Sequence, residues 1–487
     1  MEVAVLPMTV PCIALTAGLI VFVTAWCLVL IKRNITTTPP CNKADARLPP
    51  GSRGLPIIGE TLAFFARSPS LDLHAFFERR RRRTNIILED LIVSLDPDVN
   101  NFVFQHEGKL FQMWYPDSAM KIIGADSIVT TLGSLYKHIR NLVLRFFGLE
   151  NLREALLHEV QKTAQASLLS WLNQPSIEFK EAVSSMIFSV TAKKIISYDS
   201  ATSDGKMWKH YDAFTRGLLS FPLCIPGTAF YKCIQGRKNV MKMLKELLDE
   251  RRTKAGGCPE SIDFIDVLVD ELKEEKPAMN ESTALDLVFL LLFTSFETTA
   301  SAITVVLTFL TNNPKALQEL TEEHEHIQKR KADPNSEITW EEYKSMKFTS
   351  HIIHEALRLA NIAPGMFRKA TEDVQIKGFS IPKGSKIMIC PSAIHLDPVV
   401  YKDPNIFNPW RWKDIAELVG SASRDFMAFG GGLRLCVGAD FAKLQMSIFL
   451  HCLVTKYSWK AIKGGTMVLS PVLLFPEGFH IQLLPKA

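Results

Sequence analysis

A chain of 487 residues that is 47% hydrophobic and 22% charged is too long and too apolar to be a disordered tail or a disulfide-stapled miniprotein. Its net charge of +5, from 56 Lys+Arg against 51 Asp+Glu, is too near balance for nucleic acid to be the main partner. Nine scattered cysteines with no Cys-x-x-Cys spacing argue against both a disulfide framework and a structural zinc site.

Taken in chain order, the first feature is an apolar run from Val5 to Ile31 that carries no charge. It exceeds the roughly 20 residues that a helix needs to cross a hydrocarbon core. Lys32 and Arg33 follow it and only Glu2 precedes it, so residues 1–33 read as an uncleaved anchor that leaves the rest of the chain in the cytosol. Residues 34–56 hold Leu48-Pro49-Pro50-Gly51 and Leu55-Pro56, a stiff proline-rich hinge. Residues 57–487 read as the folded body of the chain. The five arginines from Arg79 to Arg83 follow Leu73, Phe76 and Phe77 at helical spacing. They read as the solvated end of a helix near an anionic membrane surface rather than as a nucleic-acid patch.

Amphipathic, leucine-rich periodicity predicts helices over 153–171, 238–252 and 285–310, the last stopped by Asn312-Asn313-Pro314. Strands are expected at 91–95, 374–381 and 386–390, with Pro382-Lys383-Gly384 as the turn between the last two. No internal repeat is present. The fold class is therefore mainly α, one large helical domain with a small β part behind a single N-terminal transmembrane helix.

The segment Phe429-Gly430-Gly431-Gly432-Leu433-Arg434-Leu435-Cys436-Val437-Gly438 carries the most chemistry. Glycines around one cysteine let the backbone approach a flat group and free amide N–H groups to face sulfur, which helps keep a thiolate. Helical patterning resumes at Ala439, so Cys436 precedes a helix N-terminus, and Arg434 offers a cationic fork suited to a carboxylate. A glycine run alone reads equally well as a loop around an inert buried cysteine. A phosphate loop would need a Gly-Lys-Ser/Thr ending, which is absent.

Phe429, Gly432, Arg434, Cys436 and Gly438 together resemble the Phe-x-x-Gly-x-Arg-x-Cys-x-Gly signature of the cytochrome P450 family. The resemblance implies the cytochrome P450 fold, with haem b as cofactor, Cys436 as its thiolate iron ligand, and Phe429, Gly430, Gly432, Gly438 and Arg434 as further cofactor-binding positions. Tyr136 and Arg140 match the family's Trp-x-x-x-Arg helix, whose ends hold a haem propionate; Tyr136 stands in place of Trp, and His138 between them reads as a surface residue. Glu355 and Arg358 share a helix face at i and i+3 and, with Arg411 from Phe407-Asn408-Pro409-Trp410-Arg411-Trp412, would form a structural network behind the haem. Phe293-Thr294-Ser295-Phe296-Glu297-Thr298-Thr299 resembles the oxygen-activation motif, with Thr298 next to oxygen and Glu297 in the proton relay. Thr294 and Ser295 replace its usual small residues, and a hydroxyl that bonds back to the helix could kink it. The hairpin expected after Arg83 looks shortened.

Ile225-Pro226-Gly227-Thr228, Gly236-Arg237-Lys238 and Leu359-Ala360-Asn361 resemble the plant clan that oxidises brassinosteroids, sterols and triterpenoids, above all its sterol side-chain-cleaving members of the foxglove type. That implies conversion of cholesterol or phytosterols to pregnenolone by a monomer in the endoplasmic-reticulum membrane, with O2 and with NADPH-derived electrons from NADPH-cytochrome P450 reductase. The alternatives are hydroxylation of a triterpenoid ring or of a brassinosteroid-type sterol, and a catalytically silent haem protein that binds sterol. A deep apolar pocket is expected, walled by Trp114, Met120, Ile123, Leu219, Leu292, Phe296, Ile362, Ala363, Met366 and Leu474.

Overall fold

The structure is a computed structural model that describes residues 61–486 apart from 69–70, 82–84, 88–90, 125–126, 200–202, 204, 219, 221–222, 255–262, 334–335, 414–423 and 471. The anchor and hinge expected at 1–33 and 34–56, and Leu219 among the pocket residues, lie outside the described residues.

The elements that position the site are helices α1 (Pro97–Gln105), α2 (Asp117–Ile123), α3 (Gly133–Phe147), α4 (Phe179–Ile196), α5 (Ala229–Lys254), α6 (Glu281–Asn312), α7 (Lys347–Ala360) and α8 (Ala439–Lys456). The strands are β1 (Asn85–Ile87), β2 (Leu91–Ser94), β3 (Phe111–Met113), β4 (Met366–Ala370) and β5 (Lys386–Ile389). They form one sheet in the order β1-β2-β5-β4-β3, in which only the β2/β5 pair is parallel. After Arg83, β1 and β2 pair antiparallel, Asn85 opposite Val93 and Ile87 opposite Leu91.

Helix α6 is the spine of the domain. Asn280 caps it by accepting the Thr283 N–H at 2.8 Å, and the Asn313-Pro314 pair ends it as expected because proline cannot continue the ladder but can open the next helix. Its threonines commit their hydroxyls to their own backbone: Thr304 donates to Ala300 O, Thr308 to Thr304 O and Thr311 to Leu307 O, at 2.7–2.8 Å. Among the described residues it is the one helix long and apolar enough to cross a membrane, but 61% of its most apolar stretch is buried inside the domain. It is a core helix, packed on α4, α7 and α8.

One expected pairing differs. Residues 374–376 and 379–381 pair with each other through Lys377-Gly378, both at positive φ (47° and 78°), the backbone that a tight two-residue hairpin needs. Pro382-Lys383-Gly384 forms the expected turn, the Ser385 N–H donating to Pro382 O at 3.0 Å, but the two strands it joins do not pair: it delivers the chain into β5, which pairs with β2 and β4.

Candidate active site

The cysteine loop lies flat on the end of α1. Gly432 sits at φ +65°, and a Cβ on it would approach the Phe104 carbonyl oxygen to 2.4 Å; a Cβ on Gly431 would come within 2.8 Å of the Phe104 ring. Only glycine lets the two backbones approach this closely. The Cys436 N–H donates to Phe429 O at 3.0 Å, closing the loop just before α8. Burial pushes the Cys436 thiol up, while the Gly438 N–H and the Arg140 guanidinium pull the other way. The sulfur is ringed by protein yet keeps open surface. A metal cation at the sulfur would favour the thiolate against that burial.

Tyr136 and Arg140 of α3 hold the loop by its backbone. Tyr136 OH donates to Leu433 O at 3.2 Å, Arg140 donates to Leu435 O at 2.8 Å, and the Arg434 guanidinium lies 4.2 Å from the Tyr136 ring centre. His138 instead faces Glu271, at 3.1 Å. Arg434 donates to Ile128 O at 3.0 Å and to Thr131 O, and ion-pairs with Glu107 at 3.2 Å. Glu107 also takes Arg368 of β4, with contacts of 3.1 Å at each carboxylate oxygen. Neither Glu107 nor Arg368 is signalled in sequence: Glu107 lies in a turn and Arg368 in a short strand, and only the fold brings them together.

On α6, whose residues are mostly buried, Thr294 and Thr298 are exposed, and Leu290 and Leu291 on the same face are half-buried. The Thr294 hydroxyl donates to Leu290 O and that of Thr298 to Thr294 O, both at 2.8 Å, and Ser295 donates to Leu292 O. The helix runs unbroken through them, so the hydroxyls at 294 and 295 bond back without opening the ladder. Glu297 is one residue and 100° further round, facing α4, where Lys180 Nζ lies 2.6 Å from its carboxylate. Lys180 has no sequence signal either.

Glu355 is completely buried and accepts five hydrogen bonds: two from Arg358 (2.8 and 3.0 Å) and one each from Arg411 Nε (2.9 Å), the Asn408 N–H (3.0 Å) and Trp412 Nε1 (2.9 Å). The structure thus joins the three expected residues and adds Trp412. Arg358 also donates to His395 O and stacks over Tyr401.

The expected pocket residues separate. Leu292 and Phe296 are buried on the far side of α6, with Phe296 packed against Trp208, Tyr211 and Phe188. At 100° per residue, Phe296 lies 200° from Thr298, so it cannot share its face. Trp114 packs edge-on to Phe367 and under the Lys386 ammonium, whereas Arg368, the next residue of β4, points to the opposite face of the sheet. Met366 stands beside the cysteine loop, its sulfur 3.2 Å from a Cβ placed on Gly430. Met120, Ile123 and Ile362 are half-buried, and Ala363 and Leu474 are exposed.

A haem suits this donor set. Its iron takes an anionic sulfur, and its two propionates would be balanced by Arg140, Arg368 and Arg434 less the charge of Glu107. Cys436 would hold the iron and the arginines the propionate edge.

The chain matches the family profile described as Cytochrome P450 over residues 49–479. It is 52% identical to Cytochrome P450 87A3 of Oryza sativa subsp. japonica, over 91% of this chain and 87% of that one. It is 39% identical to Cucurbitadienol 11-hydroxylase of Siraitia grosvenorii (91% and 94% covered) and 38% identical to Cholesterol 22-hydroxylase CYP90B27 of Paris polyphylla (90% and 92%). Among solved structures, retinoic acid-bound cyanobacterial CYP120A1 shares the fold at a TM-score of 0.78 and 24% identity, covering 91% of this chain and 100% of that one. A cysteine held in a glycine loop, a buried glutamate–arginine network and matches over nine-tenths of the chain agree: it belongs to the cytochrome P450 family, whose members are monooxygenases that use haem iron, O2 and reductase-supplied electrons.

Proposed function

We propose that this P450 oxidises a sterol, cleaving the side chain of cholesterol or a phytosterol to pregnenolone. The supporting observation is the exposed face of α6. It offers Leu290, Leu291, Thr294 and Thr298, and both hydroxyl donors are committed to backbone carbonyls. Such a wall suits a rigid hydrocarbon skeleton with few polar groups. The reaction proceeds by hydroxylation of neighbouring side-chain carbons and scission of the bond between them. Bound haem supplies the activation of O2. Cys436 would hold the iron, Thr298 would turn its hydroxyl from Thr294 O toward the oxygen-binding side, and Glu297, paired with Lys180, would relay protons inward. Electrons come from NADPH-cytochrome P450 reductase at the endoplasmic-reticulum membrane, where residues 1–33 anchor a monomeric enzyme.

A second reading is ring hydroxylation of a tetracyclic or pentacyclic triterpenoid. The relatives named for a cucurbitadienol 11-hydroxylase and a β-amyrin 16-α-hydroxylase, at 39% and 38% identity, support it as well as the cholesterol 22-hydroxylase supports the first. Feeding cholesterol, a phytosterol and a triterpene alcohol separately to reductase-containing microsomes, with products identified by mass spectrometry, decides between them. Pregnenolone supports side-chain cleavage; a hydroxylated triterpene with untouched sterols overturns it. Sterol binding without NADPH consumption would leave a silent binder.

A further inference from the structure

Two guanidiniums are held side by side beneath the cysteine loop by one acid. The Glu107 carboxylate is completely buried, as are all but a trace of Arg368 (2%) and Arg434 (5%). Its Oε1 lies 3.1 Å from Nε of Arg368 and 3.2 Å from Nε of Arg434, while Oε2 accepts from Nη2 of Arg368 at 3.1 Å. Sharing one oxygen keeps the two Nε atoms within about 6.3 Å of each other (3.1 plus 3.2). Two like charges this close in a buried setting repel strongly unless an anion sits between them. Oε1 and both Nε atoms are in ion-pair contact yet make no hydrogen bond, so the cluster retains polar capacity at that point. Arg368 belongs to β4, Arg434 to the cysteine loop and Glu107 to the turn between α1 and β3, so the carboxylate also pins three separate segments. Phe104 links them further, lying under Gly431 and Gly432 while the Arg368 guanidinium stacks on its ring at 5.7 Å.

We propose that Glu107 is the positioning residue of the haem-propionate site: its charge fixes Arg368 and Arg434 in register for a dicarboxylate edge and lowers the positive potential around the iron. Glu107 itself does not touch the iron or the substrate. Outer partners that orient first-contact groups typically govern ten- to hundredfold in cofactor affinity. Loss of one negative charge beside the haem favours the ferrous over the ferric state, so the sign of the electrochemical effect is fixed as well.

The test uses the full-length, haem-loaded protein and its E107Q and E107D variants. Two quantities are measured: the rate of haem transfer to excess apomyoglobin and the reduction potential of the haem. E107Q is expected to release haem at least tenfold faster and to show a raised potential. E107D, which keeps the charge on a shorter stem, should release haem severalfold faster while holding the wild-type potential. Wild-type release and potential in E107Q overturn the proposal, as does a potential in E107D raised as far as in E107Q. If E107Q yields no haem-loaded protein, E107D decides alone: unaltered release in that variant sinks the positioning role.

Discussion

Replacing Glu355 by alanine tests how much of the fold hangs on one carboxylate. The substitution removes the acceptor of five hydrogen bonds and leaves Arg358, fully buried, without its anion. An uncompensated buried charge costs about 3–5 kcal/mol. The Trp412 Nε1–H adds about 1–3 kcal/mol as an orphaned buried donor, and the half-buried Asn408 N–H adds about 1 kcal/mol. Arg411 fares better, since it keeps bonds to the carbonyls of Lys402, Asp403 and Ile406. The total is about 5–9 kcal/mol against a whole-domain stability of about 5–15 kcal/mol, so most E355A molecules should fail to hold haem. E355Q keeps the volume but turns an NH2 group toward donors, and should lose at least about 3 kcal/mol. Urea titration of the detergent-solubilised chain, followed by far-ultraviolet circular dichroism with the haem Soret band as a second probe, measures both. R411A serves as the milder comparison. An E355Q midpoint within about 1 kcal/mol of wild type, or R411A more damaging than E355A, would refute the account of Glu355 as the shared acceptor.

Four further outcomes are expected. T298A should retain its haem spectrum but yield about a hundredfold less product, with NADPH oxidation diverted to peroxide; coupled product-to-NADPH ratios check this. K180M should lower the same ratio severalfold while moving the thermal midpoint by the equivalent of about 1 kcal/mol or less, because the Lys180–Glu297 pair is only partly buried. G432A places a Cβ 2.4 Å from the Phe104 carbonyl in left-handed backbone, and should abolish haem loading as read from the Soret absorbance of purified protein. Burial holds His354 and His451 down to about 4 and His395 to about 3. The unfolded chain takes up protons below about pH 6.5 that these folded sites refuse, so stability is intact above that value and declines as the pH falls toward 4. At pH 5 the loss is about 2 kcal/mol per histidine, and a urea midpoint that stays flat from pH 7 to 5 would contradict it.

What could be read from sequence and what could not divides along physical lines. The cysteine loop was legible because glycine backbone requirements and the cysteine lie within ten consecutive residues. Glu355 and Arg358 were legible because helical spacing puts them on one face, and Arg411 because resemblance supplied the partner. Helix α6 was legible in extent to within four residues at each end, but not in orientation: its apolar residues run all round, so periodicity could not say that Leu290 and Leu291 border open space while Leu292 and Phe296 face the core. Lys180, Glu107 and Arg368 were invisible because each meets its partner across more than a hundred residues of chain. The 374–381 hairpin is hidden in the sequence because Lys377 is not a residue usually associated with positive φ, whereas the proline–glycine turn beyond it carries the stronger turn signal.

The back-bonded hydroxyls of α6 have a consequence for how such an enzyme changes. At rest both hydroxyls of this wall answer to its own carbonyls, and with Thr298 given to the oxygen side the wall has little vocabulary left for a particular hydroxyl or ketone; it speaks chiefly in volume. One methylene in an apolar site is worth about 1–3 kcal/mol, or roughly ten- to two-hundredfold in preference. Exchanges among leucine, isoleucine and methionine at 290 and 291 therefore tilt a skeleton by such steps without stranding a polar group, at a cost to stability usually below about 1.5 kcal/mol. Drift along this face can carry a lineage from one polycyclic alcohol to another through a series of small, individually tolerable changes, while the cysteine loop and Glu355 stay fixed.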